Sequence, residues 1–232
     1  MNYAIILSGG IGSRMKMDGF PKQYLEVNGK PILVYTLEIF QKNSNVDVIV
    51  VVAAKEWEEQ IQQWAVDFGL TKVKLVAPCG ASRQESIRNG LKACITESVS
   101  DEDNVIIHDA VRPLLSDELI SKCFRALSEN EGCMPVIPVN DTVYQSRDGE
   151  YIESLLNRDT LFAGQAPEAF NLLKYYNVNK DLTESELEKI RGTSEIAYRN
   201  NMKIRLIPGE ERNFKITTQV DLRRFEAIIG AE

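Results

Sequence analysis

A chain of 232 residues, 44% hydrophobic and 26% charged, is long enough for one large α/β domain with a substantial core. Its formal net charge of −7 argues against nucleic acid as a general partner, because phosphate backbones attract net-basic faces. No run approaches the ~18 apolar residues of a membrane span, and the opening "YAIIL" is too short for a signal-peptide core, so a cytoplasmic location without membrane contact is expected.

The elements follow in chain order. Residues 2–7, "NYAIIL", read as a buried strand that runs into glycines. "GKPILVYTLEIF" reads as a helix with Pro31 near its first turn and Ile32, Tyr35, Thr36, Ile39 and Phe40 on one face. The β-branched run over 46–53 predicts a parallel strand covered on both faces. A helix is expected over 55–68, a strand over 72–77, and then a helix capped by Ser82 that carries Ile87, Leu91, Cys94 and Ile95. Strands at 104–109 and 132–139 flank a helix at 116–129.

Alternating strands and helices define an α/β fold, with a Rossmann-like, mostly parallel sheet flanked by helices. After residue 140 the pattern changes. Two short polar runs around Asp148-Gly149 predict a projecting β-hairpin arm at about 140–160. Helices near 167–177 and 184–200, a strand at 203–207 and a helix from Gln219 complete a single domain over residues 1–232. Cys79, Cys94, Cys123 and Cys133 have no CxxC spacing and are read as free thiols. A single histidine, His108, gives no basis for a His-built metal site or a Ser-His-Asp triad.

Ligands of parallel sheets sit beyond the carboxyl ends of the strands. "SGGIGSR", "PCGASRQ" and "HDAVRP" all fall at such ends and should meet in one crevice. The first is not a P-loop, since no Gly-Lys-Ser/Thr follows. It is not a clean dinucleotide fingerprint either, because Met15 stands where the third glycine belongs. A strand running into a glycine turn remains, and that is either a tight turn alone or an anion cradle of exposed N–H groups. Arg14 and Lys22, close behind it, favour the cradle: they can bridge oligophosphate oxygens and stabilise charge at an attacked phosphorus.

"SGGIGSRM…FPKQYLEVNGKPILVYTLEIF" resembles the N-terminal signature of the CTP-dependent polyol-phosphate cytidylyltransferases, a family with a nucleotide-diphospho-sugar transferase-like fold. That family includes the 2-C-methyl-D-erythritol 4-phosphate and ribitol-5-phosphate enzymes. The likeness recurs in order at "GASRQESIRNGL", "IHDAVRPLL", "IPVNDTVY", "LNRDTLFAGQAPEAF" and "RNFKITTQVDL" and covers essentially the whole chain. It implies that Leu7, Ser8, Gly9, Gly10, Gly12 and Ser13 cradle the CTP phosphates and that Arg14 and Lys22 stabilise the pentacoordinate transition state. It also implies that Gly80, Ala81, Ser82, Arg83 and Ser86 form the cytosine loop, through main-chain groups. Asp109, Ala110 and Arg112 would lie under the ribose and acceptor, with Asp109 a candidate Mg²⁺ ligand. Arg158 and Lys215 would grip the acceptor phosphate, with Thr142 and Thr193 nearby. The arm with Thr142 and Arg158 would cross to a second subunit of a homodimer.

Three positions depart from the family pattern: Ala166 stands for a threonine, Ser194 for an aspartate after Thr193, and Tyr144 for a lysine. Ala166 and Ser194 lie in the acceptor half, Tyr144 departs from the methylerythritol enzymes, and the arm is closer to the ribitol-phosphate branch. They motivate an acceptor that is neither of the two named polyols. Two other readings stay open: a sugar-phosphate nucleotidyltransferase using another nucleotide, and a nucleotide-binding module without turnover.

Overall fold

The computed structural model describes residues 1–10, 20–95 and 97–231. In chain order these form β1 (Asn2–Leu7), β2 (Glu26–Val27), β3 (Lys30–Pro31), α1 (Ile32–Lys42), β4 (Val48–Ala53), α2 (Glu58–Asp67), β5 (Val73–Pro78) and α3 (Arg83–Cys94). There follow β6 (Asn104–Asp109), α4 (Asp117–Ala126), β7 (Gly132–Pro138), β8 (Val143–Gln145), β9 (Ser154–Leu156), β10 (Phe162–Gly164) and β11 (Glu168–Asn171). The chain ends with α5 (Leu172–Asn179), α6 (Glu184–Lys189), α7 (Thr193–Arg199), β12 (Ile204–Pro208) and α8 (Gln219–Ile229).

An eight-stranded sheet among the described residues runs β10-β7-β11-β6-β1-β4-β5, with β12 pairing to β7. β1 is parallel to β4 and β6, β4 to β5, and β12 to β7. β10 and β11 are the antiparallel members. The strands of the parallel block are apolar on both faces because helices cover both. Ala4, Ile6, Ile49 and Val51 pack under α1, α2 and α4, whereas Ile5, Val50 and Val52 pack under α3 and α5. Ser82 caps α3 as expected, its hydroxyl accepting the Glu85 N–H at 3.1 Å. On α1 the buried stripe is Ile32, Leu33, Val34, Thr36, Leu37 and Phe40, while Tyr35 and Ile39 are only half-buried.

The arm is a separate two-stranded ribbon, β8 against β9, turning at Gly149 with φ +78°. Two expected helices are corrected. The segment expected to be helical from 167 begins as β11, and Asn171 then caps α5 by accepting the Lys174 N–H at 3.0 Å. Residues 184–200 divide into α6 and α7, with Gly192 preceding the second.

Candidate active site

The three strand ends do meet. Leu7 at the end of β1 with Gly9 and Gly10 after it, Cys79 to Arg83 after β5 and Asp109 at the end of β6 line one cleft of about 510 Å³, together with Lys22, Gln23 and Lys215. The convergence follows from the parallel sheet, which sends the carboxyl ends of β1, β4, β5 and β6 to one edge.

On the first loop, Gln23 Nε2 donates to the Ser8 carbonyl at 2.6 Å and to the Gly10 carbonyl at 3.0 Å, so it shapes the turn from below. Sequence reasoning passed over Gln23, although it directly follows Lys22 in "PKQYL". Ser8 is buried and turned away from the cleft: its N–H donates to the Val52 carbonyl at 2.7 Å and its hydroxyl to Tyr24 at 3.1 Å. The turn is also packed tightly against the second loop, since a Cβ on Gly9 would lie 2.5 Å from Cys79 Cβ. Gly12, Ser13 and Arg14 lie outside the described residues.

The second loop is closed by its own helix. Gly80 N–H donates to Ser86 Oγ at 2.9 Å, and Ala81 N–H donates to Glu85 Oε2 at 2.7 Å. Both amides are therefore already engaged, and the loop is preorganised by Ser86 and Glu85.

Asp109 is the centre of charge. Its Oδ2 lies 3.1 Å from Lys215 Nζ and 3.3 Å from Arg112 Nε, and its Oδ1 lies 3.3 Å from Arg83 Nη2. Burial alone would raise its pKa, but Arg83, Lys215 and Arg112 outweigh that and hold the carboxyl well below the usual range. Around it, the cleft gathers Lys22, Arg83 and Lys215 against this one acidic side chain among the described lining residues. An acidic protein thus presents a locally cationic pocket.

Not every expected site residue lines the cleft. Ala110 is buried, with its N–H donating to the Leu7 carbonyl and its carbonyl accepting from Thr36 at 2.8 Å. Arg112 works from behind, holding Asp109 and the Asn213 carbonyl, the latter at 2.7 Å. Thr193 is fully buried and its hydroxyl accepts from Arg83 Nη1. Thr142 and Arg158 sit together beside a separate hollow on the arm, where Arg158 Nη1 donates to the Asn140 carbonyl at 2.7 Å. Behind Thr193 lies Glu168, a buried carboxyl that the sequence reading did not single out. It accepts from Ser194 Oγ, and burial pushes its pKa up despite that bond.

A cationic cleft at the strand ends of a mostly parallel α/β sheet is the place and the charge that a nucleotidyltransferase needs for its substrates. The family is specific: the IspD model, 2-C-methyl-D-erythritol 4-phosphate cytidylyltransferase, matches residues 2–231, and the chain belongs to that family. It is 34% identical over 231 residues to the ribitol-5-phosphate cytidylyltransferase of Streptococcus agalactiae serotype III (strain NEM316), covering 100% of this chain and 96% of that one. It is also 34% identical over 233 residues to the ribitol-5-phosphate cytidylyltransferase of Vibrio parahaemolyticus serotype O3:K6 (strain RIMD 2210633), covering 100% and 97%. In structure it is similar to 4-diphosphocytidyl-2C-methyl-D-erythritol synthase from Anaerococcus prevotii DSM 20548, with a TM-score of 0.83 and 28% identity over 99% of this chain and 96% of that one. Among the described residues, no helix is long and apolar enough to cross a membrane.

Proposed function

We propose that this enzyme transfers the cytidylyl group of CTP to the phosphate of a polyol phosphate, forming a CDP-polyol and releasing pyrophosphate. The observation that carries the reading is the Lys215–Asp109–Arg83 cluster, which shares one cleft with Lys22 and the glycine turn. An acceptor phosphate oxygen attacks the α-phosphorus, a new P–O bond forms, and the bond to the β-phosphate bridging oxygen breaks in line. The nucleophile is already an anion, so no general base is required. Positioning and charge neutralisation do the chemistry.

In this reading Gly9 and Gly10 offer backbone to the triphosphate, and Lys22 with Arg14 neutralises charge building at the α-phosphorus. The loop held by Ser86 and Glu85 receives the pyrimidine, and Lys215 with Arg83 draws in the acceptor. Asp109 orients those two cations and accepts from acceptor hydroxyls. Arg158 and Thr142 complete the acceptor phosphate site of a second subunit by way of the arm, which makes the enzyme a homodimer. Exposed Tyr144, Tyr151, Ile152 and Leu155 on that arm support such docking.

A divalent cation, Mg²⁺, fits the donor set. No group of three His, Cys, Asp or Glu side chains that could hold a metal is present among the described residues. Asp109 is one carboxylate in the cleft, which suits an ion held mainly by substrate phosphates. Bound there, the ion would add to the neutralisation of the triphosphate.

For the acceptor, ribitol 5-phosphate is favoured over methylerythritol phosphate by the names of the relatives at 34% identity. A pyrophosphate-release assay with CTP, UTP, ATP and GTP against both acceptors and further polyol phosphates tests this. Turnover should appear with CTP and ribitol 5-phosphate. It should fall by ~10²–10³-fold in kcat for Lys22→Ala, the size typical of one lost transition-state donor. Absence of pyrophosphate with CTP and every polyol phosphate would reject the reading.

A further inference from the structure

β11 runs antiparallel to β6, so its first residue lies beside that strand's carboxyl end, where Glu168 pairs with Ile107 near Asp109. This is how a segment without any expected role reaches the site. The Glu168 side chain is buried and takes a hydrogen bond from Ser194 Oγ, which follows Thr193 in the first turn of α7. Thr193 Oγ1 in turn accepts from Arg83 Nη1, and Arg83 Nη2 lies 3.3 Å from Asp109 Oδ1. Tyr175 fixes the same turn by donating its hydroxyl to the Thr193 carbonyl at 2.8 Å.

The contact fixes the start of α7. Glu168 accepts the Ser194 hydroxyl proton, and on the preceding residue the Thr193 hydroxyl oxygen receives the Arg83 N–H. The carboxyl therefore anchors the turn, and the turn orients the guanidinium that faces the cleft. An apolar side chain at 168 would leave the half-buried Ser194 hydroxyl without this acceptor and free the turn. Residue 194 adds a second argument. It is serine where the family resemblance calls for aspartate, and the carboxyl in hydrogen-bond contact with it comes from β11 instead.

We propose that Glu168 is a positioning residue for the acceptor half of the cleft, supplying from β11 the carboxyl group that residue 194 does not carry. The inference rests on the cytidylyl-transfer reading, and the test separates the two.

The full-length enzyme is assayed for pyrophosphate release with CTP and the acceptor varied separately. E168L should raise the acceptor KM by about tenfold, the effect of one buried hydrogen-bonding group left unmatched. The CTP KM should stay within about twofold. E168Q, which keeps an acceptor oxygen for Ser194, and E168L/S194D, which returns a carboxylate from α7, should both recover most of the loss. Should E168L fail to fold, E168A is read in the same way. Apart from turnover, the Arg83 Nε–H NMR signal should shift in E168L and stay in place in the distant control E131Q.

The proposal is overturned if E168L leaves the acceptor KM unchanged, raises both KM values alike, or is rescued by neither second substitution. A moved Arg83 signal in an enzyme that turns over no polyol phosphate would sustain the positioning role while rejecting the assigned reaction. An unmoved signal in an active enzyme would do the reverse.

Discussion

Lys215 Nζ and Asp109 Oδ2 lie 3.1 Å apart, tying the segment that follows β12 to the end of β6. Because Asp109 also holds Arg83 and Arg112, its carboxylate is the counter-charge for three cations at once. Asp109→Asn should lower stability by about 3 kcal/mol in urea unfolding, the low end for breaking a buried pair. The low end applies because the Arg83 and Lys215 side chains are 39% and 34% exposed and water screens them. Lys215→Ala should leave the fold intact and cut kcat/KM for the acceptor by ~10²-fold, as expected for a lost charged contact to phosphate. Equal stability for Asp109→Asn and wild type would show that the cations need no counter-charge.

His108 gives the protein a pH dependence of its own. The ring is fully buried, stands against Phe40 at 5.3 Å between centroids, and has Nε2 3.1 Å from the Arg112 carbonyl. Burial, first among the causes, pushes its pKa down to about 4. The unfolded chain, with a histidine pKa near 6.5, takes up the proton first. Stability from this group is thus complete above pH ~6.5 and is lost as pH falls towards 4, by about 3 kcal/mol in all. Urea unfolding of the metal-free protein across that range should show the slope in wild type and a flatter one in His108→Gln. Parallel curves would count against it.

The contact between Gly9 and Cys79 predicts a paired effect. Gly9→Ala forces a Cβ to 2.5 Å from Cys79 Cβ, a separation that pushes the glycine turn and the second loop apart. The CTP KM should rise by about tenfold or more, as overpacking displaces backbone by tenths of an ångström or more. Cys79→Ala keeps the offending carbon and should not relieve it, whereas Cys79→Gly should. If alanine and glycine at 79 behave alike in the Gly9→Ala background, the clash is not the cause.

Shared sites across two subunits can be tested by mixing inactive variants. Arg158→Ala removes the arm's cation and Lys215→Ala removes the cleft's, so each homodimer should be nearly dead. Random exchange of subunits restores one intact site in half of the dimers, for about a quarter of wild-type activity. No recovery after demonstrated subunit exchange would assign both residues to the same chain's site.

Much of this could be read before folding was considered. Ser82 announces the start of α3 and caps it. Asp148-Gly149 announces the arm's turn, where Gly149 takes φ +78°. β4 is apolar at every position because both its faces are covered. Residues 168–171 differ from the expected helix because "EAFN" is too short to carry a periodicity that separates strand from helix. The local signal that existed was Asn171, a capping residue that begins α5 at Leu172. Glu168 escaped notice for the same reason, since a residue placed on a helix has no claim to the strand edge.

The amino-acid order alone determined the parallel α/β core and the three loops at its strand ends, because side-chain period, capping and turn chemistry act within a few residues. Only the tertiary structure decided that β11 inserts antiparallel between β6 and β7, that Asp109 is held by Arg83, Arg112 and Lys215, and that Glu168 accepts from Ser194. Apart from Arg112, three residues from Asp109, those contacts join residues far apart in the chain, and their energies exist only once packing has removed water from between them.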